Sequence, residues 1–143
     1  MVSALYSRDI LRLATTLIAN EKLAVAHSTA EVRSPICGSR IQADVATAAD
    51  MRITGLALRA NACALGQASA AILRKNAVGE PVDVIAEVRD GIAKALNSQD
   101  EMPSFWPELE LLSGARDYPA RHAAILLPYD AVIAAAQKTK AET

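Results

Sequence analysis

The fold is decided by residues 41–58, which read IQADVATAADMRITGLAL. Apolar and polar side chains alternate over residues 41–47, which is the period of a half-buried β-strand. A second alternating run begins near Met51 and changes register at Gly55, where we expect a β-bulge. Because only residues 48–50 connect the two runs, they are predicted to be antiparallel neighbours.

A further strand is expected just before this stretch. Residues 32–36 also alternate in polarity, and the chain then reverses near Cys37 and Gly38. Pro35 stiffens the approach to this reversal, and glycine permits a tight turn. The sequence therefore predicts a meander of three short antiparallel strands.

Helical periodicity flanks the predicted meander on both sides. With the strands, these helices predict an α+β fold, in which a small three-stranded antiparallel sheet is packed by helices in one domain spanning residues 1–143. The predicted helical pieces are one ending near Asn20, one after Asn61, one starting at Pro81, a short one at Glu108 to Leu112, and one from Pro119 that Pro128 kinks or divides.

The composition indicates which residues build the core and which classes of partner are excluded. Lys and Arg number 15 against 16 Asp and Glu, a net charge of −1, which argues against nonspecific binding to nucleic acid. Aromatic residues make up 3% of the chain and apolar residues 52%, so the core is predicted to consist of Ala, Leu, Ile and Val. Phe105 and Trp106, in a loop with two prolines, are expected to plug this core.

No membrane segment is predicted. The longest uncharged run, residues 60–73, is shorter than the ~20 apolar residues of a membrane-spanning helix. Arg8, Asp9 and Arg12 interrupt the apolar stretch that a secretory signal needs. We therefore expect a cytoplasmic protein, in which two cysteines are free thiols, metal ligands or reactive groups rather than a disulfide.

Both cysteines lie at special positions of the predicted fold. Cys37 lies in the strand reversal, and Cys63 lies at the start of a helix, where unpaired N–H groups and the helix dipole favour a thiolate. Simple packing in the core is the alternative for each, because free cysteine is among the most buried residue types. Their separation matches no local ligand motif such as C-x-x-C.

Three runs of the sequence resemble the NifU/IscU-like family of iron–sulfur cluster assembly scaffolds, especially its SufU-type branch. They are residues 35–38 (PICG), 63–69 (CALGQAS) and 121–129 (RHAAILLPY). The corresponding family motifs are P-x-C-G-D, C-A-I-S-x-A-S and R-x-x-C-A-x-L-x-W. In the family, the three cysteines and the aspartate surround a nascent iron–sulfur cluster or a zinc ion. The resemblance covers nearly the whole domain and implies a SufE/NifU-like fold.

The sequence departs from the family at two of these four ligand positions. Ser39 stands at the position of the aspartate, and Ala124 stands at that of the third cysteine. The resemblance thus leaves Cys37 and Cys63 as ligands of a labile cluster, of the [2Fe–2S] type, or of zinc. Three possibilities remain: His122 supplies a further metal ligand, a symmetric dimer provides four thiolates, or the site is degenerate.

Three functions follow as expectations. The resemblance implies a non-enzymatic scaffold that receives sulfur from a cysteine desulfurase and passes clusters to acceptor proteins. A sulfur-transfer protein of the SufE-like kind is the second, because a persulfide needs only one accessible thiolate. The third is a partner-binding module that has kept the fold and lost the chemistry. No nucleic acid or membrane is expected among the partners.

Overall fold

The computed structural model describes residues 7–35, 38–98 and 100–141. The predicted α+β class is confirmed, with a three-stranded antiparallel sheet and surrounding helices in the described part of the chain. The elements in chain order are α1 (Arg8–Thr16), β1 (Ser28–Arg33), β2 (Arg40–Thr47), β3 (Ile53–Asn61), α2 (Ala64–Asn76), α3 (Val82–Leu96), the 3₁₀ segments Pro107–Asp117 and Pro119–Arg121, and α4 (His122–Ala141).

The sheet is the predicted meander, in the order β1-β2-β3. Ala46 pairs with Gly55 and Thr47 with Ile53, so β3 carries one extra residue at the position where a bulge is expected. Two strand boundaries differ from prediction: β1 spans residues 28–33 instead of 32–36, and β3 begins at Ile53. Met51 has a φ of 66° and therefore belongs to the turn rather than to the strand.

One face of the sheet forms the core with the helices. Ile41, Ala43 and Val45 on β2 are fully buried, and α4 packs across β1 and β2. Helix α2 lies between α1 and α4 and is lined with small side chains. The core consists mainly of Ala, Leu, Ile and Val, as composition predicts.

The other face of the sheet is covered by the segment that follows α1. This helix ends at Thr16, earlier than the predicted Asn20, and the chain then crosses the sheet. The backbone N–H of Leu23 donates to Asp44 on β2 (3.2 Å), and the Leu23 side chain packs against Gly55 on β3. Residues 17–26, the covering segment, thus contact both β2 and β3 through Leu23.

The helical part corrects two expectations. Trp106 is 5% exposed and its ring stacks on that of Tyr129 at 6.3 Å, whereas Phe105 is 53% exposed, so only the tryptophan plugs the core. Helix α4 is continuous through Pro128, so the proline does not divide it. Pro128 cannot donate to the carbonyl of Ala124, but the Ser69 hydroxyl of α2 donates to the next carbonyl, that of Ile125 (2.7 Å), and ties the helix in place.

Within the described ranges, no helix is both long and apolar enough to cross a membrane.

Candidate functional site

Cys63 is the N-cap residue of α2. Its φ of −64° and ψ of 168° are extended, and its side chain makes no capping hydrogen bond. The thiol is free and partly buried, and the residue packs at the margin of the core. The carbonyl of Cys63 accepts a hydrogen bond from the backbone N–H of Gln67 (2.9 Å). This bond closes the first turn of the helix. The predicted position of Cys63 at a helix start is confirmed. The effect of the unpaired N–H groups on its thiol stays a prediction.

Cys37 lies outside the described residues, but both sides of its loop are described. The backbone N–H of Ser34 donates to the carbonyl of Ser39 (2.9 Å), and that of Gly38 donates to the carbonyl of Ser34 (3.0 Å). Gly38 has a φ of +72°, which glycine adopts without strain. The connection between β1 and β2 is therefore closed at its base by two backbone hydrogen bonds.

Sheet register brings the two cysteine-bearing regions to one end of the sheet. Arg40, the first residue of β2, pairs with Asn61, the last residue of β3. Ser39 immediately precedes Arg40, and Cys63 follows Asn61 by two residues. The base of the β1–β2 connection and the start of α2 therefore leave the sheet at neighbouring positions.

Ala124, at the position of the family's third cysteine, lies against the start of α2. It is fully buried. A Cβ atom built on Gly66 would lie 3.5 Å from the Cβ of Ala124 and 2.9 Å from that of Ala62. Because Gly66 is one helical turn from Cys63, this contact places the start of α4 against the first turn of α2, where the methyl group of Ala124 offers no metal ligand.

His122 is the first residue of α4. Its Nε2 lies 2.8 Å from the carbonyl oxygen of Ala115. Since a carbonyl can only accept, Nε2 carries the proton and a neutral ring keeps its lone pair on Nδ1. Metal-bound histidines commonly have their second nitrogen fixed in this way. The role of His122 as a metal ligand stays a prediction.

A complete set of metal ligands does not occur in the described part of the chain. No group of three or more His, Cys, Asp or Glu side chains is close enough there to hold a metal ion. Ser39 is buried, and its hydroxyl is a weaker metal ligand than the carboxylate of an aspartate would be. The described residues of one chain thus offer one thiol, from Cys63, and any metal site needs ligands from elsewhere.

The buried polar pair nearest to this end of the sheet was missed by sequence reasoning. Asp44 accepts two hydrogen bonds from Arg59, at 2.8 and 2.9 Å, and one from the Thr29 hydroxyl at 2.8 Å. The Arg59 guanidinium lowers the pKa of Asp44 to about 2. Alternation places residues 42 and 44 on one face of β2, and residue 59 lies on the same face of the neighbouring strand, where it pairs with Gln42. The alternation in the sequence could therefore have predicted this ion pair.

Comparison with solved structures identifies the class of fold. The chain superposes on a nitrogen-fixing NifU-like protein (N-terminal) from Brucella abortus with a TM-score of 0.90 and 29% identity, over 98% of this chain and 97% of that one. A protein described as an iron–sulfur cluster assembly scaffold for the SUF system of Fervidobacterium islandicum AW-1 gives 0.81 and 20%, over 92% and 96%. A third structure, of a hypothetical protein, gives 0.79 and 21%, over 90% and 94%.

No family model matches the chain, and no curated protein matches it by sequence. The structural neighbours nevertheless confirm the resemblance seen in the three sequence runs. In fold, the chain is similar to these NifU-like and SUF-system structures.

Proposed function

We propose that the protein takes part in iron–sulfur cluster assembly, binding iron and sulfide as cargo through Cys37 and Cys63. The observation that carries the proposal is the match to a NifU-like domain over nearly the full length of both chains. It is supported by the position of Cys63 at a helix start, in a sequence run that resembles the family's second cysteine motif. On this proposal the protein is a non-enzymatic scaffold of the cytoplasm.

Sheet register supports a shared site for the two cysteines. The described residues that bracket Cys37 and the strand end that precedes Cys63 meet at one end of the sheet. A cluster bound there would have two thiolates from this chain, because the third family position is Ala124. Iron–sulfur clusters are generally held by four protein ligands, so bound iron would be labile.

A symmetric dimer would complete the ligand set. Two copies of the chain would supply four thiolates around one [2Fe–2S] cluster, a closed arrangement typical of homo-oligomers. His122 is the other source, because its Nδ1 lone pair is free of the proton on Nε2. The two arrangements differ in stoichiometry: one cluster for two chains against one for each chain.

Anaerobic reconstitution with iron and sulfide tests the proposal. We expect iron and acid-labile sulfide in the wild type, and loss of both in Cys37→Ala and in Cys63→Ala. His122→Gln separates the two arrangements. If the site is dimeric, the variant keeps its iron and has twice the monomer mass in gel filtration; if His122 is a ligand, the variant loses its iron. Binding that is independent of both cysteines would refute the proposal.

Restoring the family's ligands gives a gain-of-function variant. Ser39→Asp together with Ala124→Cys supplies the missing carboxylate and thiol. The absent side chain of Gly66 leaves the face of α2 beside Ala124 without a Cβ atom. We expect the double variant to retain its iron longer than the wild type when a chelator is added. The matched control is Ala123→Cys, one residue along α4, where the side chain points about 100° away.

A second function is favoured by the natural residues Ser39 and Ala124, which replace the family's aspartate and third cysteine. A sulfur acceptor needs one nucleophilic thiolate and no complete cage. Its thiolate attacks the outer sulfur of a persulfide on a cysteine desulfurase, one S–S bond forms as another breaks, and the desulfurase thiolate leaves with the electron pair. Loss of the aspartate and of the third cysteine does not impair this step.

Labelled sulfur distinguishes the two functions. If the protein is a sulfur acceptor, label transferred from a desulfurase should arrive on Cys37 and be unaffected by a metal chelator. If it is a scaffold, it should pass its cluster to an apo-acceptor protein, and chelator should block this transfer. A partner-binding module without the chemistry would show neither, and a variant lacking both cysteines would bind its partner unchanged.

A further inference from the structure

A cavity of about 380 Å³ lies between the end of α1, the outer face of the sheet and the first turn of α2. Its size is within the usual range for sites that hold small molecules. The described residues that line it are Leu17, Ile18, Ala19, Asn20, Arg40, Gln42, Arg59, Ala60, Asn61 and Gln67.

The polar lining of the cavity is rich in hydrogen-bond donors. It holds two guanidinium groups and four carboxamides, and none of the described residues in the lining bears a carboxylate. Arg59 is already neutralised by Asp44, with which it makes two hydrogen bonds. The remaining cation of the lining is Arg40.

Arg40 is poorly paired within the protein. Its nearest carboxylate, that of Glu31, is 3.8 Å from its Nε, which is beyond hydrogen-bond distance, and its side chain is 44% exposed. Among the described residues, this is the one polar contact of the guanidinium. A planar guanidinium with unused donors at the rim of a cavity can take a carboxylate in bidentate fashion.

The rest of the lining specifies the kind of anion. Leu17, Ile18, Ala19 and Ala60 add apolar side chains to this mainly polar lining, which leaves room for a hydrocarbon group on the ligand. Arg40 shares the carboxylate of Glu31 with Arg33, so these three side chains carry one net positive charge. The cavity therefore matches one negative charge rather than the two of a phosphate. The ligand class is therefore a small organic monocarboxylate that has an apolar side group.

We propose that this cavity is a binding site for such a carboxylate, with Arg40 as its anchor. The site adjoins the backbone that holds Cys63. Asn61 and Gln67 belong to its lining, and the N–H of Gln67 donates to the carbonyl of Cys63. A bound ligand thus contacts the segment that carries the candidate thiol, although the proposal does not depend on the cysteine chemistry.

Titration with N-acetyl-leucine, followed by NMR, tests the proposal. The neutral analogue N-acetyl-leucinamide has the same size and apolar group but no charge. We expect the acid to shift the backbone amide signals of Ala19, Asn61 and Gln67 and to bind at least tenfold more tightly than the amide. Equal binding of the two compounds, or no binding of the acid at millimolar concentration, would overturn the proposal.

A pair of charge variants assigns the anchor. Arg52 lies at the opposite end of the sheet and does not line the cavity, and its side chain is 52% exposed. Arg40→Gln should weaken binding of the acid at least tenfold, and Arg52→Gln should leave it unchanged. Equal weakening in both would mean that nonspecific charge attraction accounts for the binding. Tighter binding of inorganic phosphate than of N-acetyl-leucine would refute the proposed ligand class.

Discussion

Two polar regions of this small sheet differ in how completely they are satisfied. On the outer face, Asp44 and Arg59 are mostly buried, and every oxygen of the carboxylate accepts a hydrogen bond. At the start of α2, Cys63 makes no capping bond, and the two further ligand positions that the resemblance implies hold Ser39 and Ala124. The hydrogen bonds of the ion pair thus tie β2, β3 and the segment after α1 together, whereas no capping bond ties the Cys63 side chain to its helix.

The largest effect is expected from breaking the ion pair. Arg59→Ala would leave the Asp44 carboxylate buried without its counter-charge and remove the bond to the carbonyl of Glu21. Removing one partner of a buried pair costs about 3 kcal/mol in the free energy of unfolding. Urea denaturation measures this loss.

The control for that variant is Arg33→Ala. Arg33 bonds to Glu31 in a pair that is largely exposed, and such pairs contribute less than about 1 kcal/mol. If both variants lost the same stability, the Asp44–Arg59 pair would not hold the covering segment in place.

Acid should weaken the same pair. The pKa of Asp44 is lowered from 3.8 to about 2, chiefly by the hydrogen bonds from Arg59, so the unfolded chain takes up this proton first. The stabilisation is therefore complete above about pH 4 and is lost as the pH falls towards 2, an effect of about 2 kcal/mol.

Urea midpoints measured between pH 5 and pH 2 would show this loss. In Asp44→Asn, which has no carboxyl group to titrate, the midpoint should depend less on pH over this range. An equally steep dependence in the variant would assign the acid sensitivity to other groups.

The smallest effect is expected at the candidate site. Gly66→Ala would bring a Cβ atom to 2.9 Å from that of Ala62, which requires a shift of α2. Alanine is favoured over glycine within a helix by about 1 kcal/mol, which partly offsets this crowding. We expect a net destabilisation of about 1 kcal/mol by thermal unfolding. A stabilised variant would show that α2 and α4 are not tightly packed beside Cys63.

The sequence predicts the parts of the fold that follow local periodicity. The meander, the bulge near Gly55 and the helix that starts at Cys63 are all confirmed. The covering segment after α1 could not be predicted. Residues 17–20 were expected to continue the helix, residues 22–28 have no clear period, and the segment is held by contacts with β2 and β3. Phe105 and Trp106 are adjacent and equally apolar, and only packing against Tyr129 decides which of them is buried.

The candidate site was predicted less completely than the fold. The place of Cys63 at a helix start follows from the helical period and is confirmed, whereas the contact of Ala124 with α2 was not predicted. The roles of Cys37, Cys63 and His122 in binding iron remain predictions. The cavity beside Arg40 was missed, since it combines residues from four separate segments whose proximity arises only in the folded chain.

Cross-linking of Cys37 to Cys63 tests most directly the claim that the two thiols lie at one end of the sheet. A bifunctional thiol reagent that spans only a few ångströms would be added to the reduced monomer, and the linked peptides identified by mass spectrometry. The control is Cys37→Ala combined with Asp50→Cys, which moves the second thiol to the turn between β2 and β3.

The eight residues of β2, about 26 Å in length, separate that turn from the end that precedes α2. The account predicts rapid intramolecular cross-linking in the wild type and none in the control. Equal and slow reaction in both, or cross-links only between chains, would contradict it.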